Sequence, residues 1–215
     1  MNIKRSGFHP AAQTSRAEKR RYEHAAPGDL VHVDTKKLGR IPDGGGHKVL
    51  GRAAGTRNKT KTATNRRPGY AYIHNAVDDH SRLAYSEILT DEKKETAAGF
   101  WQRANAFFNA AGITLTRVLT DNGARYRSNA FKTALGDNIT HKRTRPYRPQ
   151  TNGKVERFNR IMLEEWAYAQ PYTSETQRVA AFDQWLHHYN HHRGHTALKG
   201  HPPAARVPNL SGVNS

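Results

Sequence analysis

The sequence contains no cysteine, few acidic residues and no long apolar run. The absence of cysteine excludes disulfides, a thiolate nucleophile and zinc sites built on thiolates. No apolar run approaches the roughly 18 residues that a membrane-spanning helix needs. The N-terminal residues are basic and lack the apolar core of a secretory signal peptide. We therefore expect a cytoplasmic protein.

Basic residues outnumber acidic residues almost two to one. The chain has 35 Lys and Arg against 18 Asp and Glu, which gives a formal net charge of +17 at pH 7. Self-repulsion of this size does not stabilise a fold, so the charge indicates a polyanionic partner, most commonly nucleic acid. A ribosomal-type structural protein and a protein that binds anionic membranes are alternatives that charge alone leaves open. With DNA as the partner, we expect association with the nucleoid.

The length and composition predict one domain with extensions at both ends. Hydrophobic residues make up 35% of the chain, which suffices for a core. Residues 1–27 are basic and polar and predict a flexible arm. Residues 28–206 carry the regular patterns of a single domain, and residues 207–215 predict a disordered tail.

Strand-like patterns occur at three places in this domain. Residues 29–38 alternate between apolar and polar side chains, residues 70–90 predict a hairpin, and residues 113–120 predict a further strand. Residues 39–69 are rich in glycine, threonine and basic residues and predict a long loop or a loosely ordered hairpin.

Helical patterns occupy most of the remaining domain. The clearest helix spans residues 91–112 and ends at Gly112. Another helix begins at Asn152, and a third begins at a predicted cap, Ser174, with Val179 among its inward-facing residues. Strands followed by helices in this order predict an α/β fold of packed layers.

Three acidic residues stand at places where they could meet. Asp34 lies on the polar face of the first strand, and Asp121 ends a strand just before Asn-Gly. Glu156 borders the apolar stripe of its helix, so packing of that helix on the sheet would direct it towards the strand ends. Clustered carboxylates repel one another, and a divalent cation relieves that repulsion. Oxygen ligands alone suit Mg²⁺ or Mn²⁺, and two such ions roughly 3.5–4 Å apart activate a nucleophile and stabilise a leaving group.

Each of the three acids also has an ordinary structural interpretation. Asp121 before Asn-Gly is typical of a turn. Glu156 is four residues from Arg160, the spacing of an ion pair on a helix surface. Periodicity alone does not choose between these interpretations and the metal site.

Five stretches together resemble a known family. They are VHVDTKKL, AVDDHSRLAYSEIL, RVLTDNGARYRS, KRTRPYRPQTNGKVERFNR and WLHHYNHHRGHTAL. In this order they resemble the catalytic core of DDE-type insertion-sequence transposases, which is similar to the retroviral integrase core of the rve superfamily. The similarity covers residues 28–206. The spacing between Asp121 and Glu156 is one residue shorter than in most retroviral integrases, which we interpret as a loop deletion.

The resemblance implies a fold, a reaction and a metal site. The fold is an α/β, ribonuclease-H-like mixed sheet with helices on both faces. Asp34, Asp121 and Glu156 would be the catalytic residues and would hold Mg²⁺ or Mn²⁺, most often two ions, with Asp34 bridging them. The reaction is phosphodiester hydrolysis at an element end followed by strand transfer into target DNA. The chain would act as a homo-oligomer on DNA.

Residues around Glu156 are candidates for DNA binding under this resemblance. Lys154 and Arg157 flank Glu156 and would hold phosphates, although a solvated helix face explains them equally well. The preceding loop supplies four further candidates: Arg145, Tyr147, Arg148 and Gln150. Packing in the core is the alternative for Tyr147. His32, near Asp34, is expected to be a structural neighbour of the site.

Two other functions stay open at this stage. Transposases of this kind usually carry a helix-turn-helix region before the core, and few residues precede Asp34. One alternative is therefore a catalytically idle, truncated remnant that still binds DNA. The other is a ribonuclease-H-like nuclease that cuts without joining.

Overall fold

A mixed five-stranded sheet organises the chain in the computed structural model, which describes residues 23–60, 68–144 and 152–210. The strands are β1 (Val31–Gly39), β2 (Tyr70–Asp78), β3 (Ala84–Leu89), β4 (Arg117–Thr120) and β5 (Thr140–Arg143). Their order across the sheet is β3-β2-β1-β4-β5. β1, β2 and β3 pair antiparallel, whereas β4 pairs parallel with both β1 and β5.

Six α-helices accompany this sheet in the described parts of the chain. They are α1 (His47–Thr60), α2 (Lys94–Ala110), α3 (Asn129–Leu135), α4 (Gly153–Met162), α5 (Glu175–Ala180) and α6 (Phe182–His191). A π-helical turn, Leu163–Ala167, continues α4. None of these helices is long and apolar enough to cross a lipid bilayer.

Each face of the sheet buries its own hydrophobic core. Val31 and Val33 of β1 pack with α2 and α3 on one face, where Phe100, Trp101 and Phe131 are fully buried. The other core packs the opposite face of the sheet against α4, the π-helical turn and α6; it includes Ile73, Val155, Phe158, Met162, Trp166 and Trp185. The two cores arise because successive residues of a strand point to opposite faces of the sheet, so β1 contributes side chains to both.

The predicted end of α2 and the predicted cap of α5 are present. Gly112 follows α2 with φ +77°, and a side chain there would collide with Asn209. The Ser174 hydroxyl accepts a hydrogen bond of 3.2 Å from the amide of Gln177. Both positions meet the local requirements for which glycine and serine are favoured at helix ends.

Two secondary-structure predictions were wrong. Residues 39–69 were expected to form a loop or hairpin, but this segment contains α1, which is kinked at Gly51. The helix predicted from Ser174 onwards is broken at Ala181 into α5 and α6, and Val179 is 40% exposed instead of facing inward. The break changes the rotational phase, so the stripe of α5 does not continue onto α6.

Candidate active site

Asp34 is the fourth residue of β1 and Asp121 directly follows β4, so both lie just past the carboxyl end of the parallel pairing between these two strands. β1 and β4 pair at Val31↔Val118 and His32↔Leu119. Asp34 and Asp121 are each two residues beyond the second pair, so this register brings them to the same level of the sheet. Neighbouring strands are about 4.8 Å apart. The carboxyl ends of parallel strands are a common place for ligand sites in open α/β sheets.

Glu156 reaches the same region from α4. It lies in the first turn of that helix and is exposed. An open cleft of about 550 Å³, here called the β1–α4 cleft, has Glu156 and Asp34 among its lining residues. Its lining also includes Lys36, Lys37, Asn159 and Arg160. The structure therefore places two of the three predicted acids on one cleft.

Asn159 connects α4 to β1 at Asp34 and was missed by the sequence analysis. Its Nδ2 donates a 2.8 Å hydrogen bond to Asp34 Oδ2. Its Oδ1 accepts a 2.7 Å bond from Asn75 Nδ2, and Asn75 Oδ1 accepts one of 2.7 Å from the Ser86 hydroxyl. This buried chain of amides fixes the orientation of the Asp34 carboxylate. The available signal was the three-residue spacing between Glu156 and Asn159, which puts both on one side of a helix.

The Asp34 carboxylate is in a poor environment for a negative charge. Burial raises its pKa above the ordinary value, and the negative charge of Asp121 raises the pKa further. Hydrogen bonds from the Thr35 amide and from Asn159 oppose the increase without cancelling it. A bound cation would offset both the burial of the carboxylate and its repulsion by Asp121. The atoms that could coordinate such a cation are carboxylate oxygens, the ligands that Mg²⁺ and Mn²⁺ prefer. The residues at this position therefore fit such an ion.

Asp121 has its own partners within the protein. Its Oδ1 accepts a 2.7 Å hydrogen bond from the Gly123 amide, and its Oδ2 lies 3.5 Å from Arg125 Nη2. Arg125 also donates a 2.8 Å bond through Nη1 to Glu92 Oε2. Arg125 is a second residue that the sequence analysis missed, although it stands four residues after Asp121.

The carboxylates do not form a ready-made metal site. Within residues 23–60, 68–144 and 152–210, no group of three or more His, Asp or Glu side chains is arranged to hold an ion. Asp34 and Asp121 are bound to different donors, and mutual repulsion favours their separation. The three acids as joint metal ligands therefore stay a prediction. The sequence also allowed Glu156 to form a surface ion pair with Arg160 instead of binding a metal. Among the described residues, these two side chains form no ion pair.

A buried polar network surrounds the start of α4. His32 Nε2 lies 2.9 Å from Asp79 Oδ1, and His32 Nδ1 lies 3.0 Å from Asn152 Oδ1. The amide of His24 donates a 2.8 Å bond to Asp79 Oδ2. Both ring nitrogens of His32 thus have protein partners, which agrees with the structural role expected for it. Asp79, which the sequence analysis did not single out, connects His32 of β1 to Lys154 in the first turn of α4.

The six candidate DNA-binding residues fall into three groups. Lys154 is largely enclosed, with Nζ 3.3 Å from Asp79 Oδ1 and 24% of its side chain exposed. Arg157 is exposed on α4. The other four candidates lie outside the described residues: Arg145, Tyr147, Arg148 and Gln150. DNA binding by all six stays a prediction, and Lys154 has a clear structural contact in addition.

The raised pKa of Asp34 leads to a prediction about stability. A group whose pKa is higher in the folded than in the unfolded state destabilises the fold at pH values where it is charged. Asp34→Asn should therefore increase the free energy of unfolding at pH 7 in EDTA, by on the order of 1 kcal/mol or about 2–4 °C in Tm. The gain should shrink on acidification, because protonated Asp34 is also neutral. Calorimetry measures it, with exposed Asp43→Asn as the control, and a lower Tm for Asp34→Asn contradicts the prediction.

Comparisons with known proteins place the chain among integrase-like sequences. Two family models described as integrase core domain match residues 24–149 and residues 137–203. The putative integrase ORF3 of Spiroplasma virus SpV1-C74 is 28% identical over 154 residues, covering 65% of this chain and 42% of that protein. A retrovirus-related Pol polyprotein from transposon TNT 1-94 of Nicotiana tabacum is 33% identical over 99 residues, covering 45% and 7%. The chain thus spans less than half the length of either relative.

Solved structures share the fold. A chain of the simian T-cell lymphotropic virus intasome in complex with PP2A regulatory subunit B56 gamma matches with a TM-score of 0.62 at 19% identity, covering 87% of this chain and 56% of that one. The HTLV-2 integrase catalytic core domain in complex with magnesium gives 0.57 at 14% identity, covering 85% and 97%. The predicted ribonuclease-H-like α/β fold, with helices on both faces of a mixed sheet, is thereby confirmed.

Proposed function

This chain belongs to the integrase core domain family, and from that premise we propose that it catalyses metal-dependent DNA cleavage and strand transfer. In the first step, water attacks a phosphodiester at an element end, the bond from phosphorus to the 3′ oxygen breaks, and a 3′-hydroxyl is freed. In the second step, that hydroxyl attacks target DNA in line. A new phosphodiester forms, and a 3′-hydroxyl of the target leaves.

One observation carries the proposal. Asp34 and Asp121 lie at the same level on neighbouring strands, and Glu156 shares the β1–α4 cleft with Asp34. Under the proposal, Asp34, Asp121 and Glu156 would hold the divalent ions between them. Such ions activate the attacking oxygen and stabilise the leaving oxygen.

The protein's other residues have positioning roles in this proposal. Asn159 orients the Asp34 carboxylate through the 2.8 Å hydrogen bond. Arg125 holds Asp121 and would have to yield part of that contact when Asp121 turns towards an ion. Arg157 is exposed beside Glu156 and would contact a phosphate. Asn75, the cross-strand partner of Asp34, is buried and continues the hydrogen-bonded chain from Asn159 to Ser86.

The proposed partners are DNA and further copies of the chain. The net charge of +17 supports binding to phosphates, because each neutralised phosphate releases counterions. Among the structural neighbours, the HTLV-2 core is described in dimeric and trimeric forms, and another neighbour is an intasome. We propose that this chain likewise joins paired DNA ends as a homo-oligomer.

A second candidate function is an idle DNA-binding remnant. Its support is that Asp121 is held by Gly123 and Arg125 and that the described acids form no ready-made metal site. This candidate predicts DNA binding with no chemistry in any divalent ion.

A joining assay separates these candidates. The full chain is incubated with pre-cleaved duplex ends, taken from the inverted repeats that flank its gene, and with plasmid target DNA in Mg²⁺, Mn²⁺ or EDTA. The proposal predicts joined product in Mg²⁺ and Mn²⁺ and none in EDTA. Cutting without joining would indicate a nuclease. Binding with neither reaction would indicate the remnant, and both of these outcomes overturn the proposal.

A further inference from the structure

Four histidines lie on the outer side of α6 and just past its end. They are His187, His188, His191 and His192, and none of them lines the β1–α4 cleft. His191 is half-buried and the other three are exposed. The buried side of α6 is formed by other residues, among them Tyr189. Packing in the core therefore does not account for these four rings.

His187 and His192 direct the same ring atom towards each other. Their Nε2 atoms are 3.3 Å apart. The ring centroids are further apart, at 5.2 Å, so the edges that carry Nε2 face each other. Two nitrogens bound to one tetrahedral Zn²⁺, each at about 2.0–2.1 Å, are about 3.3–3.4 Å apart. A hydrogen bond between the rings is the alternative, although N–H donors most often form shorter bonds, of about 2.9–3.0 Å to oxygen.

The neighbouring histidine pairs are arranged differently. His187 and His191 are four residues apart, the spacing at which two histidines of a helix bind zinc. Their rings nevertheless stack, with centroids 4.6 Å apart and planes inclined by only 25°. His188 and His192 also stack, at 6.0 Å and 30°. A metal binds imidazole at a ring nitrogen and not on the ring face. Among these four residues, the converging nitrogens are therefore those of His187 and His192.

The backbone at the end of α6 holds His192 in place. The helix ends one residue earlier, and His192 leaves it with φ −127°. The amides of His192 and Arg193 both donate hydrogen bonds to the His188 carbonyl, at 2.9 and 2.8 Å. The Arg193 guanidinium donates bonds of 2.7–2.9 Å to the Glu165 carboxylate. Because these contacts already order the chain, bringing the His192 ring to His187 costs little further conformational entropy.

We propose that His187 Nε2 and His192 Nε2 bind one Zn²⁺ ion, whose two remaining positions are open to water or to a ligand from another molecule. Imidazole nitrogen suits Zn²⁺, whereas Mg²⁺ and Mn²⁺ prefer oxygen. The carboxyl end of a helix carries partial negative charge, which favours a cation there. Two protein ligands agree with the absence of a three-ligand group in the described parts of the chain. The site does not depend on the proposed function.

Isothermal titration calorimetry of the full chain with ZnCl₂ tests the site. The titration is done in saturating Mg²⁺, which competes for carboxylates and leaves imidazoles free. His187→Gln and His192→Gln should each weaken Zn²⁺ binding by at least about tenfold, since even the loss of an outer-shell partner of a zinc ligand costs that much. Both rings are exposed, so each variant should keep the Tm of the unaltered protein in the absence of Zn²⁺.

Two histidine variants serve as matched controls. His201 is exposed and lies outside the cluster, and His201→Gln should leave the Zn²⁺ affinity within about twofold. His191→Gln removes the ring that stacks on His187 but neither of the converging nitrogens. It should therefore weaken binding less than His192→Gln does. A larger loss for His191→Gln than for His192→Gln would assign the ion to the pair spaced by four residues and overturn the proposal.

The remaining outcomes are equally distinct. Unchanged Zn²⁺ affinity in either His187→Gln or His192→Gln would overturn the proposal and leave a hydrogen bond between the rings as the explanation of their approach. Loss in both variants, with full affinity in His201→Gln, supports it. NMR of the ring nitrogens should show Zn²⁺-dependent shifts at Nε2 of both residues, and shifts at Nδ1 alone would contradict the assignment. A protein that fails the joining assay can still bind Zn²⁺ here, so the two results are independent.

Discussion

Replacing Asp121 by Asn should reduce the rate of DNA joining in Mg²⁺ by at least about a thousandfold, because the metal supplies several kcal/mol of transition-state stabilisation and each 1.36 kcal/mol changes a rate tenfold. Asparagine keeps an oxygen for the 2.7 Å hydrogen bond from the Gly123 amide, so the turn after β4 should persist. The loss should therefore reflect a missing metal ligand and not a disrupted fold. Gel-based quantification of joined product over time measures it.

The controls for Asp121→Asn address folding and DNA binding. Asp137→Asn, an exposed substitution between α3 and β5, should join DNA at the unaltered rate. Asp121→Asn should keep its Tm and bind duplex ends in EDTA within about twofold of the unaltered affinity. A joining rate within tenfold of normal would exclude Asp121 from the metal site. Unchanged joining in Asp121→Asn together with metal independence would exclude the two-ion mechanism altogether.

Asp79→Ala should produce the largest loss of stability that we predict for a polar substitution. Asp79 is 2% exposed; it forms hydrogen bonds with His32 and the His24 amide and an ion pair with Lys154. Removing one partner of a buried ion pair costs about 3–5 kcal/mol, because the remaining charge is left without compensation. Denaturant titration measures the change. Asp183→Ala, an exposed acid in the first turn of α6, should cost less than about 1 kcal/mol.

The dependence of the free energy of unfolding on pH below 4 shows whether Asp79 stabilises the fold through its charge or through packing alone. Burial disfavours its charged form, but hydrogen bonds from His32 and the His24 amide and the charge of Lys154 outweigh burial and hold its pKa well below the ordinary value. A lowered pKa stabilises the fold above the unfolded value of about 3.9, and that stabilisation is lost as the pH falls towards the folded value. Asp79→Asn should therefore show a flatter decrease in stability below pH 4. A pH dependence identical to that of the unaltered protein would contradict this assignment.

Short-range patterns predicted most of the fold. Alternation in residues 29–38 and 70–90 identified β1, β2 and β3, and the glycine after residues 91–111 marked the end of α2. The patterns were misleading where local and tertiary preferences differ. Three consecutive glycines before His47 suggested a loop, yet α1 forms there and is held by contacts such as that of Lys48 Nζ with the Tyr168 carbonyl, 2.6 Å away. Local propensity is a weak guide when a distant contact supports a helix.

The candidate site divides in the same way. The positions of Asp34, Asp121 and Glu156 relative to strand ends and helix stripes were readable from the sequence, as were the basic residues around Glu156. Their partners were not. Asn159 on Asp34, Arg125 on Asp121 and Lys154 on Asp79 each depend on which elements pack together.

By itself, the sequence determined the family, the alternation that divides each strand between two cores, and a positive charge suited to DNA. Only the tertiary structure decided the register that brings Asp34 level with Asp121, the enclosure of Lys154 by Asp79, and the approach of His192 to His187. The reason is the range of the interactions involved. Periodicity arises from the geometry of one strand or helix, whereas register and packing are set by contacts between residues far apart in the chain, which no short stretch of sequence contains.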